Sequence, residues 1–187
     1  MVYSFTANNS SYQKFHIFGV LIENMSTLNL SPEPEQEKIL TDNYELASHA
    51  KGGANWFYWV AGLSVVNSLI FLFGGNWSFF AGLGITQVID VIVDAITRGG
   101  DFSAVKIIAF VIDLLIAGVF LLFGLWANKF QTWAFIAGMA LYFLDGLLLL
   151  VLGAYLPAAF HVFALIMIFR GFSAARKINA SKNLAAG

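Results

Sequence analysis

Five long apolar segments follow one another from residue 54 onward: Ala54 to Phe73, Phe79 to Ile96, Val105 to Ala127, Thr132 to Leu152 and Leu156 to Phe172. Each is close to the roughly 20 residues that a helix rising about 1.5 Å per residue needs to cross about 30 Å of hydrocarbon. The runs are unbroken rather than alternating, so they predict helices and not the strands of a membrane barrel. The breaks between them are Gly74-Gly75-Asn76, Arg98-Gly99-Gly100-Asp101, Asn128-Lys129, and Gly153 with Pro157. All five tryptophans, Trp56, Trp59, Trp77, Trp126 and Trp133, fall at predicted segment ends, where an amphipathic ring prefers the headgroup level. The expected fold is an all-α integral membrane protein, a bundle of five membrane-embedded helices with four or five full crossings.

Composition supports this class. The 187 residues are 59% hydrophobic and only 11% charged, against about 25% charged for soluble domains. A net charge of -1 offers no basic excess for a phosphate backbone, so nucleic acid is not an expected partner. No cysteine is present, which excludes disulfides, thiolate nucleophiles and iron–sulfur clusters.

Charge divides the chain into a polar, acidic N-terminal tail over 1–53, a helical membrane domain over 54–172 and a short basic C-terminal tail over 173–187. The tail lacks the usual form of a signal peptide and is expected to persist. Within it, Ser31-Pro32-Glu33 reads as N-cap, N1 proline and first-turn acid of a short surface helix. Tyr12 to Ile22 is apolar but too short to span, and fits a strand or an interfacial segment.

Trp77-Ser78-Phe79-Phe80-Ala81-Gly82 resembles Trp133-Ala134-Phe135-Ile136-Ala137-Gly138, with Asp90 and Asp145 following at similar distances. That similarity suggests a tandem repeat of a helical hairpin. The basic residues bear on topology. Five crossings put five Lys and Arg on each side, whereas a second helix that dips in and returns leaves only Arg98 and Lys106 opposite the rest. The positive-inside rule then favours four crossings with both termini cytoplasmic. Polarity makes the second helix the better candidate for a non-spanning segment, although its apparent repeat partner reads as a full span.

The costly residues are few. Gly82, Thr86, Asp90, Asp94 and Arg98 form one polar stripe on the second helix, with Asp94 and Arg98 read as an interface pair. Asp113 and Asp145 are single carboxyls in apolar runs, and His161 is a lone imidazole in the fifth segment. A carboxylate at mid-bilayer disfavours insertion by about 2.5–3.5 kcal/mol, so these groups should face protein or water. Counted along full spans, Asp90, Asp113, Asp145 and His161 lie roughly 9–12 Å from one face and form a candidate intramembrane polar layer. Such a layer can hydrogen-bond as a packing network, relay protons or hold a cation. Ser64, Asn67 and Ser68 of the first segment read as glue between helices.

No nucleotide loop, haem-ligand pair, nucleophile triad or zinc motif is present, so no metal site and no catalytic residues are assigned and a cofactor is not specified. The first functional expectation is an accessory or scaffolding subunit of a larger membrane complex. The alternative is a proton or cation pathway through the carboxylate and histidine layer; a membrane hydrolase using two aspartates has the least support. The expected partners are the lipid bilayer and other membrane subunits or further copies of the chain, in a bacterial inner membrane.

Overall fold

A computed structural model describes residues 18–24, 33–73, 82–97 and 103–186. The chain divides into two compact units, Met1–Asp42 and Asn43–Gly187. In the first, residues 18–24 form a short exposed helix, and residues 12–17 of the expected interfacial segment lie outside the described residues. The five main helices are α1 (Pro34–Leu72), α2 (Gly84–Thr97), α3 (Ser103–Ala127), α4 (Thr132–Val151) and α5 (Tyr155–Ala186). Four of them, α1, α3, α4 and α5, are long and apolar enough to cross a membrane.

Two expectations change in detail. The surface helix of the tail and the first apolar segment are one 39-residue helix, with no break at Ala54. Its first turn is set by Pro34, whose missing N–H matters least at that position, while the Glu33 carbonyl accepts from Gln36 and Glu37. The Ser31 cap falls outside the described residues. At the other end α5 runs to Ala186, so the basic tail continues a helix rather than leaving it.

The second change concerns α2, which has only 14 residues and starts at Gly84. Of the expected Phe79 to Ile96 helix, Gly82 is not helical, with φ +131, a region that a side chain would strain. Ser64 and Asn67 of α1 crowd the point where its Cβ would be. The first copy of the apparent repeat, through Ala81, lies outside the described residues, as does Arg98 of the expected interface pair. Asp94 itself is exposed.

Contacts fix how the helices run. Lys106 near the start of α3 stands 5.6 Å over the Phe71 ring near the end of α1. Further along, Asn128 donates to the Tyr58 hydroxyl at 3.1 Å, so α3 descends antiparallel to α1. A tight turn containing Phe130 at φ 61 leads to α4, and Asn179 of α5 donates to the Phe130 carbonyl at 3.0 Å. Phe57 fills the centre against Phe120, Phe123 and Phe135, with ring centroids 6.2–6.4 Å apart. That approach needs Gly138, because a Cβ there would collide with the Phe57 ring. At Gly53 and Gly171, α1 and α5 touch backbone to backbone, the close approach that small residues permit between membrane helices.

Candidate functional site

Helix α2 begins inside the bundle, where its first N–H groups have no preceding turn to bond. Leu83 and Gly84 are buried. Water is scarce there, so other elements must supply the acceptors. The Leu83 N–H donates to Ser64 Oγ at 2.6 Å, and the Ser64 hydroxyl donates in turn to the Val60 carbonyl at 2.9 Å. The next two N–H groups go to one side chain of α4: Gly84 donates to Asp145 Oδ2 at 2.6 Å and Ile85 to Asp145 Oδ1 at 2.8 Å. Asp145 is thus an N-cap supplied from 60 residues away in the chain, and its acceptor oxygens meet the positive end of the α2 dipole. Gly84 is required for the fit, since a Cβ would stand 2.6 Å from the Leu149 Cγ.

His161 of α5 completes this clamp. Its Nδ1 lies 2.9 Å from the Pro157 carbonyl, which only accepts, so Nδ1 carries a hydrogen. Its Nε2 lies 2.8 Å from Asp145 Oδ2. A proton therefore sits in that contact as well, either on imidazolium facing carboxylate or on carboxyl facing neutral imidazole. The imidazole is 1% exposed, stacked on Tyr142 at 4.2 Å and 18°. Gly146 leaves room for it, because a Cβ there would lie 3.1 Å from the His161 Cβ.

A second pair lies farther along α2. Asp90 lies close enough to Asp113 of α3 for the two carboxyls to interact through charge, and Ser68 of α1 donates to Asp113 Oδ2 at 2.7 Å. Two carboxylates this close in an apolar setting repel, which disfavours both being charged at once. Both groups are buried, Asp113 at 2% and Asp90 at 8% exposure. Oδ1 of each has no hydrogen-bond partner, a rare condition for buried polar atoms.

The four residues of the expected layer thus come together as two pairs, Asp145 with His161 and Asp90 with Asp113. Among the described residues no three His, Cys, Asp or Glu side chains gather as a metal-ligand set. Ser64 and Ser68 do join helices, as their small hydroxyls in an apolar run imply. Sequence reasoning missed the partners of Asp145, since backbone N–H groups carry no side-chain signature. The available signal was Gly82-Leu83-Gly84, two glycines beside a polar stripe, which marks an interrupted helix. The polar stripe also splits: Thr86 turns back to the Leu83 carbonyl at 2.8 Å, Asp90 faces α3 and Asp94 is exposed.

Compared with known proteins, the chain matches no family, no curated sequence and no solved structure.

Proposed function

We propose that this is a membrane protein that binds and passes a proton or a small monovalent cation at the Asp90–Asp113 pair. The observation that carries the reading is the buried, unpartnered Oδ1 of each carboxyl. Two carboxyls in contact hold one proton readily; release of that proton leaves a second negative charge in an apolar setting, which a cation or a returning proton must offset. Ser68 orients Asp113 without neutralising it. The Asp145–His161 clamp serves a different purpose, fixing the start of α2 so that Asp90 meets Asp113.

The topology proposed with this function has four crossings, α1, α3, α4 and α5, with α2 as a half-helix that returns to the side on which α1 ends. Its support is the order of contacts along α1. Leu83 meets Ser64, and the Asp90–Asp113 pair reaches Ser68 one turn nearer the Phe71 end. With Arg170, Arg176, Lys177 and Lys182 cytoplasmic, Lys106 falls outside and the positive-inside rule is satisfied. A bacterial inner membrane is the proposed setting.

Liposome flux tests the reading. Asp90→Asn and Asp113→Asn keep shape and most hydrogen bonding but remove the titratable charge. Each variant is expected to purify intact and to lose proton or cation flux that the wild-type protein shows. Unchanged flux in the double variant overturns the proposal. The scaffold reading has one observation in its favour, the complete engagement of Asp145 and His161 in holding α2. Absence of wild-type flux together with a stable multi-protein complex after mild detergent extraction favours it.

A further inference from the structure

A cavity of about 310 Å³ opens between α1 and α5 beside the Gly53–Gly171 crossing. Ser48, His49, Gly53 and Trp56 line it from α1, Met167 and Arg170 from α5. No acidic side chain is among its lining residues. Among the described residues Arg170 makes no ion pair, so its planar fork of donors is open to a ligand.

The level of the cavity follows from the sequence of both helices. On α1 the last charged side chain before the apolar stretch is Lys51, and no Asp, Glu, Lys or Arg occurs from Gly52 to Leu72. On α5 none occurs from Tyr155 to Phe169, and Arg170 is the first of four basic residues on that helix. The glycine crossing aligns the two transitions at one height. That height is where hydrocarbon gives way to headgroups, and Trp56, whose ring packs edge-on against Phe163 at 5.3 Å, is a residue type that favours it.

We infer that this cavity binds the phosphodiester of an anionic lipid headgroup. Arg170 offers two parallel N–H groups to phosphate oxygens, and Ser48 and His49 offer further donors from the facing helix. Gly53 leaves space for the phosphate, while Trp56 and Met167 give the glycerol and first acyl carbons an apolar wall. Basic cavities between membrane helices at this depth suit headgroups of net negative charge. The site is independent of the Asp90–Asp113 pair.

Native mass spectrometry of the full chain in detergent, with phosphatidylglycerol or phosphatidylcholine added, tests the assignment. The wild-type protein is expected to retain phosphatidylglycerol in preference to phosphatidylcholine. Arg170→Gln should lower that retention about fivefold, the factor expected for one basic residue near the surface. His49→Gln, at an exposed position, should lower it by a smaller factor, and Arg176→Gln should leave it unchanged. Undiminished retention in both Arg170→Gln and His49→Gln overturns the site, as does an equal loss in Arg176→Gln. Displacement of the lipid by millimolar inorganic phosphate overturns the lipid as its source; retention in that buffer supports it.

Discussion

Replacing Asp145 separates a helix cap from a simple buried charge. In Asp145→Leu three donors lose their acceptor at once: the Gly84 N–H, the Ile85 N–H and the proton shared with His161. Leaving a buried donor unsatisfied costs about 1–3 kcal/mol. Hydrogen bonds between membrane helices average nearer about 0.6 kcal/mol, because the unfolded chain in a bilayer also finds partners. Taking about 1–2 kcal/mol for each of the three gives an expected loss of about 3–6 kcal/mol. Asp145→Asn behaves differently. Its carbonyl accepts one of the two backbone N–H groups and its amide donates to Nε2 of a neutral His161, so one donor is stranded and the loss is about 1–2 kcal/mol. Unfolding in mixed micelles of rising dodecyl sulfate fraction measures both values, and hydrogen exchange at Gly84 and Ile85 reports the cap locally. Protection at those two amides should fall in Asp145→Leu and survive in part in Asp145→Asn. A Leu variant within about 0.5 kcal/mol of wild type, the range of an ordinary surface change, would refute the role of Asp145 as the cap of α2.

Two further outcomes follow from the packing and the run of the helices. Gly53→Val should destabilise the bundle by more than about 1–3 kcal/mol, the usual effect of overpacking, because its Cβ would stand 2.5 Å from the Gly171 Cα. Gly52→Ala, with nothing within 4 Å of the added Cβ, should raise the thermal midpoint in detergent slightly, since alanine is the better helix former. The absence of native cysteine makes single-thiol labelling clean. With an impermeant reagent, Tyr44→Cys and Ser181→Cys should be labelled from the same side and Ala104→Cys from the other; labelling of all three from one side contradicts four crossings.

The spans were legible in the sequence because lipid imposes one requirement on every exposed position, and a long apolar run is its direct imprint. Helix α1 was read as two pieces for the same reason. Polarity changes at Lys51-Gly52-Gly53, yet the backbone continues, and Gly53 serves the contact with Gly171 rather than ending a helix. The candidate polar residues could be named from their cost in hydrocarbon, but their pairing could not. Asp90 and Asp145 occupy similar places in the apparent repeat, while one faces a carboxyl and the other a helix start. That distinction arises from the break at Gly82 and Leu83, a local backbone event that apolar periodicity does not record. The anion-accepting cavity was hidden for a related reason: Ser48, His49 and Arg170 meet only through the crossing of two helices more than a hundred residues apart.

The cap on α2 also sets an order of events during synthesis. Ser64 precedes Leu83 by 19 residues, but Asp145 follows Gly84 by 61, and His161 comes 16 later still. At about 5–20 residues per second, a ribosome needs roughly 3–12 s to travel from the start of the half-helix to its principal acceptor. Helix α3 is made within that interval, and α1 and α3 each satisfy their own backbone bonds as helices. Until then the Gly84 and Ile85 amides lack Asp145, the carboxylate that receives them in the folded chain. Seating α2 is therefore a late step, completed when α4 and α5 arrive, and a chain halted after α3 holds the half-helix without its anchor.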